Sequence, residues 1–331
     1  MKRRNFVQDT FTAGIALSMI GVYSCKSKEK QEESVADTDM KKTGPMLQLS
    51  LAQWSMHRMI NDQGMDPYLF AEKAKEWGFA GLEYVSQLYE KELKEKAFSK
   101  EAMNDFVKRS LEESTKHGMQ NLIIMIDHEG DLSAADKMER KKAVENHLKW
   151  VDAAAALGCH SVRVNLMGSK IATEWVPASV DGLTQLSTYA KTKNVNVIVE
   201  NHGGFSSNAA MLVDVIKQVG LPNCGTLPDF GNFCVKREDG SYFSSPCIEE
   251  YDRYQGIQEL MPYAKAVSAK SHDFDEKGNE IHTDYARMLE IVENAGYSGY
   301  IGVEYEGSSL GEEEGILATK KLLLKLMAVA T

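Results

Sequence analysis

The chain has 331 residues, 43% hydrophobic and 26% charged, with a formal net charge of −10. Such values describe a globular protein with room for one large domain or two smaller ones. The acidic balance argues against a polyanion such as DNA as main partner, because phosphate binding needs clustered Lys and Arg. A small neutral or metal-bound ligand meets no such barrier.

Residues 1–25 read as an export signal and stand apart from the fold. Lys2, Arg3 and Arg4 form a basic start, Phe11 to Tyr23 an apolar run, and Val22-Tyr23-Ser24-Cys25 resembles a bacterial lipobox. Arg3-Arg4 with Phe6 also resembles a twin-arginine signal. The apolar run is shorter than the ~20 residues that span a bilayer, so a lipoprotein leader is expected over a membrane helix. Cys25 would be the lipidated N-terminus of a protein of the cell envelope, periplasmic or membrane-anchored, touching the membrane through its lipid only. Residues 26–45 carry almost no large apolar side chains and read as a disordered tether to a domain at 46–331. Cys159, Cys224, Cys234 and Cys247 include no CxxC pair, so zinc-cluster spacing is absent. A Cys234–Cys247 disulfide is conceivable in an exported protein, but buried free thiols are the expectation.

From Leu47 onward, short apolar runs alternate with amphipathic stretches. Leu47 to Trp54 reads as a strand and Pro67 to Trp77 as a helix; Phe79 to Val85 and Lys100 to His117 repeat the pair. Leu122 to Asp127, Asp136 to Leu157, Ser161 to Leu166 and Ser179 to Thr192 continue it. Gly78, Gly118 and Gly158 stand just past helices, where a left-handed C-terminal cap is expected. Asn196 to Val199 is a strand rich in β-branched residues, as for a strand buried on both faces, and Glu200 follows directly. Gly203 and Gly204 turn the chain, Ser206 and Ser207 offer N-cap hydroxyls, and Asn208 to Val219 reads as a helix. The rest runs strand Gly225 to Pro228, helix Ile248 to Tyr263, strand Val267 to Ser271, helix Thr283 to Ala295, strand Tyr300 to Val303 and helix Glu312 to Ala328.

Strict βα alternation forms either an open doubly wound sheet or a closed barrel. Eight units and no GxGxxG turn favour the α/β class, as a (β/α)8 TIM barrel. The longest irregular insertion is Phe230 to Cys247; loops of that length often cover an active site.

Active sites of such barrels sit at the C-terminal strand ends, and every end here is polar. In order they present Gln53 and His57; Glu83 and Tyr84; Asp127 and His128; Arg163 and Asn165; Glu200 and His202; Asp229; Lys270 and His272; Glu304 and Glu306. Glu200, Asp229, His272 and Glu304 make a three-oxygen, one-nitrogen set. It suits one divalent cation, Mn2+ most naturally, with Mg2+, Co2+ or Zn2+ as alternatives. Without a cation, clustered carboxylates in an apolar mouth repel one another and take up protons. His57, Glu83, Arg163, Asn165, His202 and Lys270 are the candidate substrate contacts. Arg163 fits a structural ion pair equally well, and His57 and His202 could simply be hydrogen-bonded.

The pattern resembles the xylose isomerase-like sugar isomerases and epimerases, a TIM-barrel superfamily that also includes inosose dehydratase and endonuclease IV. The resemblance covers Leu47 to Ala328 and rests on VENHGG with Glu200, PDFGN with Asp229, SAKSHDFD with His272 and IGVEYEG with Glu304. It implies a metal held by Glu200, Asp229, His272 and Glu304, with Glu200 and Glu304 also serving as acid and base. Two departures stand out. Asn232 occupies a place where many members carry His, and the H-x-H-x-K-D run of the seventh strand is here Ser268-Ala269-Lys270-Ser271-His272-Asp273. Ser268, Lys270 and His272 would share one strand face. If Ser268 holds the family's His position, the metal has lost a ligand or water replaces it.

The implied chemistry is proton abstraction beside a carbonyl through an enediolate, that is, a metal-dependent isomerase or epimerase acting on a small carbohydrate. The alternatives are a metal-dependent lyase or hydratase on 3-keto sugars or glycosides, and a non-catalytic carbohydrate-binding barrel. A nucleic-acid substrate is not expected, and homo-oligomerisation is left open.

Overall fold

A computed structural model of the chain describes residues 47–328. The export signal at residues 1–25 and the tether at 26–45 lie outside the described residues. Eight strands run parallel: β1 (Gln48–Ala52), β2 (Gly81–Val85), β3 (Gln120–Met125), β4 (Ser161–Val164), β5 (Asn196–Glu200), β6 (Cys224–Leu227), β9 (Val267–Ser271) and β10 (Tyr300–Tyr305). Their order is β6-β5-β4-β3-β2-β1-β10-β9. The two ends meet through parallel bridges Thr226↔Ala264 and Asp229↔Ser268, which close the sheet into the expected (β/α)8 barrel.

The helices form where sequence supplies their ends. Ser99 accepts from the Ala102 N–H at the start of α4 (Lys100–His117), and Asp136 accepts from Met138 and Glu139 at the start of α5 (Lys137–Leu157). Gly118 and Gly158 end these helices in the left-handed conformation, as expected. The helix expected over Ser179 to Thr192 starts earlier, at Ala172, and runs through Pro177 to Lys191. A proline near the helix start removes only one hydrogen bond, and the fully buried Trp175 anchors that first turn.

Three expectations change. Asn208, not Ser206 or Ser207, caps α7 (Ala209–Val219). The two serine hydroxyls instead accept from the backbone N–H of His202 and Gly203 and so hold the β5 tip in shape. The helix expected over Ile248 to Tyr263 is shorter, Arg253–Leu260 with a 3-10 turn after it. Its expected first residues belong to an antiparallel hairpin, β7 (Cys234–Arg237) with β8 (Cys247–Glu250). Cys234 and Cys247 are disulfide-bonded across that hairpin rather than free. Cys159 and Cys224 are the buried free thiols.

Alternation in each strand divides the core. On β10, Ile301, Val303 and Tyr305 are fully buried on the helix side, and Gly302 and Glu304 alternate with them towards the barrel axis. Small residues on that axis leave space for charge. A Cβ on Gly302 would stand 2.6 Å from both oxygens of Glu83, so glycine there makes room for the buried carboxyl.

Candidate metal centre and substrate cavity

Glu200 ends β5, Asp229 follows β6 and Glu304 lies on β10. Each offers a carboxylate oxygen within 4.8 Å of the other two, and all three side chains are buried. The structure thus brings together three of the four expected ligands. His272 does not join them. β9 ends at Ser271, the His272 N–H turns to the Glu280 carboxylate at 3.3 Å, and the ring packs near His282 at 6.2 Å. Ser268 takes the facing position: its hydroxyl lies 2.7 Å from Asp229 Oδ2 and 3.0 Å from Glu304 Oε2. The shared face of Ser268 and Lys270 holds, but the strand stops before it can carry His272 inward.

Each carboxylate is held in place. Asp229 Oδ1 accepts from the N–H groups of Gly231 and Asn232, both at 2.9 Å, so it serves its turn and the cluster together. Glu200 Oε1 accepts from the Asn232 amide at 2.9 Å, and Arg163 Nε stands 2.9 Å from Glu200 Oε2. Lys270 Nζ lies 3.1 Å from Glu306, 3.5 Å from Glu304 and 4.0 Å from Glu200. Burial works against the ammonium, yet Glu304, Glu306, Asp229 and Glu200 together hold its pKa well above the usual range.

The protein's own cations do not balance this cluster. Burial, reinforced by neighbouring carboxylates, raises both Asp229 and Glu304 above the ordinary carboxylate range despite Lys270. Burial also pushes Glu306 up, but Lys270 beside it brings it down to about 2. Three converging oxygen donors with surplus negative charge fit a divalent cation. Glu200, Asp229 and Glu304 would hold it, with Ser268 supplying a hydroxyl in place of an imidazole.

Above the cluster opens a cavity of about 660 Å³, whose lining includes Arg163, Asn165, His202, Glu304 and Glu306. Three of the expected substrate contacts therefore face it. Asn165 donates to Asp127 at 2.8 Å, and its buried Oδ1 has no partner among the described residues. Burial works to raise Asp127, but the Arg163 guanidinium at 2.9 Å holds it below the usual range. Burial, then Lys270 and Arg163, push His202 down to about 4, so its ring is neutral at pH 7; its Nδ1 is likewise unpartnered. Lys270 lies under this wall, inside the cluster.

Two expected contacts sit elsewhere. His57 stacks on Trp54 at 4.5 Å and meets the Trp54 carbonyl at 2.7 Å, and Trp54 is the one that lines the cavity. Glu83 lies within the barrel, accepts from Ser50 at 2.6 Å, and is pushed by burial up to about 8. Sequence reasoning met Ser268 and Asn232 only as departures from the family pattern and did not select Trp54 or Phe243 for the site. Ser268 was legible from its parity with Lys270, whereas Phe243 reaches the cavity only through the hairpin.

Fold and site together define a (β/α)8 barrel with a buried carboxylate centre at the C-terminal strand ends. Residues 71–326 match the family of the xylose isomerase-like TIM barrel, and the chain belongs to that family. Among solved structures it is similar to the 3-keto-D-glucoside 4-epimerase of E. coli, at 13% identity and TM-score 0.62, covering 85% of this chain and 100% of that one. It is similar also to a xylose isomerase-like TIM barrel protein of Mycobacterium smegmatis in complex with magnesium, at 16% identity and TM-score 0.60, covering 87% and 98%. These likenesses show the fold. The C-glycoside deglycosidase alpha subunit of Arthrobacter globiformis is 39% identical over 66 residues, and that match spans 19% of this chain and 19% of the relative.

Proposed function

We propose that the protein is a divalent-metal-dependent isomerase or epimerase that moves a proton beside the carbonyl of a neutral sugar. The observation that carries this reading is the pair Glu200 and Glu304, on strands separated around the barrel by β6 and β9, converging with Asp229 beside a cavity that Glu304 lines. When bound, the cation would supply Lewis-acid polarisation of the sugar carbonyl. Glu304 lines the cavity, where its carboxylate, raised above the ordinary range by burial, can take a proton from the sugar and return it. Lys270, 3.5 Å from Glu304, steadies that carboxylate when it is charged. Glu200, fixed by Arg163 and Asn232, is the second acid-base group; the free Oδ1 of Asn165 accepts from a sugar hydroxyl, and the neutral His202 ring accepts from or donates to another.

The cavity lining argues against a sugar phosphate. Asp127, Glu129, Asp131, Glu304 and Glu306 line it alongside the single guanidinium of Arg163. A phosphate carrying about −1.5 to −2 charges would be repelled there. The export signal expected at residues 1–25 agrees, since an envelope protein meets free or glycosidically linked sugars. An all-oxygen donor set favours Mn2+ or Mg2+ over Zn2+.

A second reading is supported by the short stretch shared with the deglycosidase subunit: a lyase that eliminates across a 3-keto glycoside from the same centre. The test is NMR of keto sugars and keto glycosides in D2O with Mn2+ or Mg2+ present. Deuterium uptake at the carbon beside the carbonyl, lost in Glu304→Gln, is expected; release of the aglycone would select the lyase. Sugar binding with neither exchange nor elimination would leave the non-catalytic carbohydrate-binding barrel instead.

A further inference from the structure

The disulfide-closed hairpin places an aromatic ring on the cavity that no catalytic step uses. Phe243, at the hairpin tip, is 54% exposed, lines the cavity, and lies 4.9 Å from the His202 ring. It is fixed through its neighbours. Tyr242 donates to the Met167 carbonyl at 2.8 Å, Arg237 Nε donates to the Tyr242 carbonyl at 2.8 Å, and Asp239 caps the turn by accepting from Ser241 and Ser245. Lys170 donates to the Gly240 carbonyl, and the Cys234–Cys247 bond joins the hairpin's feet.

The barrel rim is shaped to receive this tip. Gly203 and Gly204 both adopt positive φ, 87° and 61°. A Cβ on Gly204 would stand 2.6 Å from the Tyr242 ring, so only glycine admits the hairpin there. The glycine pair of VENHGG therefore seats the insertion as well as turning the chain. Across the barrel, beyond β1, Trp54 lines the same cavity with its ring backed by His57. Two aromatic side chains thus stand on the outer wall of a cavity whose inner end is charged. An exposed aromatic held rigid beside a polar pocket is a stacking surface for the apolar face of a ring.

We infer that the hairpin forms an outer subsite, in which a ring joined by a glycosidic bond to the reacting sugar stacks on Phe243. The substrate is then a glycoside, with a second sugar or an aromatic aglycone as the outer ring, and not a free monosaccharide. This rests on the reading above that the reacting sugar occupies the cavity over Glu200 and Glu304.

Calorimetric titration of the metal-loaded protein in D2O with the 3-keto forms of methyl glycosides, phenyl glycosides and disaccharides of the gluco and galacto series tests it. Wild type is expected to bind the two-ring probes about tenfold more tightly than the methyl glycosides, and phenyl against disaccharide distinguishes the outer ring. Phe243→Ala is expected to bring that ratio near one, and Phe243→Trp, which keeps a platform, to retain it. A ratio near one in wild type, an unchanged ratio in Phe243→Ala, or no binding of any probe overturns the subsite. Deuterium exchange in the same samples separates the two readings: exchange with no two-ring preference sinks the subsite alone, and a two-ring preference without exchange sinks the proton-transfer reading alone.

Discussion

Lys270 and Glu304 are direct neighbours on paired strands, and both turn towards the barrel axis, leaving the ammonium 3.5 Å from the carboxylate. That pair sits among Glu200, Asp229 and Glu306, so one fixed cation answers several buried anions. Breaking a buried pair from one side is costly, about 3–5 kcal/mol, because the partner is left uncompensated. Lys270→Met is therefore expected to lower the Tm of the metal-free protein, and Mg2+ or Mn2+ to restore most of the loss. Thermal denaturation with and without cation measures this; a Tm unaffected by the substitution would contradict the charge assignment.

Ser268 orients two of the proposed ligands at once. Partners of this kind are worth about 10–100-fold in metal affinity, and Ser268→Ala should weaken Mn2+ binding by that range. Ser268→His adds a nitrogen donor between Asp229 and Glu304 and should shift selectivity towards Zn2+. Competition titration against a chelator reads both effects.

Glu83 is protonated in the folded protein up to about pH 8, whereas an unfolded carboxyl loses its proton near 4.5. Between these values the folded state binds more protons, so stability falls as pH rises, by up to a few kcal/mol in order of magnitude. Glu83→Gln keeps the neutral shape and should flatten this decline, its gain growing up to about pH 8 and staying level above it. Denaturant unfolding from pH 5 to 9 compares the two; parallel curves would count against a buried neutral Glu83.

Gly182 lies where the helix Ala172–Lys191 crosses the Leu132 carbonyl, and a Cβ there would approach the oxygen to 2.0 Å. Backbone cannot step aside as a side chain can. Gly182→Ala should destabilise the protein by about 1–3 kcal/mol despite alanine's better helix propensity. Chemical denaturation gives the value.

The alternation of apolar runs and amphipathic stretches was enough to determine the barrel, because each parallel strand needs a helix to return the chain. It also determined Glu200, Asp229 and Glu304, since a carboxylate directly after a buried strand falls on the rim of any such barrel. What only the tertiary structure decided was the fourth position and the outer wall. Ser268, Lys270 and His272 share one parity in sequence, and the end of β9 at Ser271 is what gives Ser268 the metal-facing place and sends His272 away. The Cys234–Cys247 bond joins residues 13 apart across a hairpin, and the seating of Tyr242 on Gly203 and Gly204 brings together segments nearly 40 residues apart. Local periodicity fixes which face a residue takes; where a strand stops, and what long-range contact covers its tip, is set by packing.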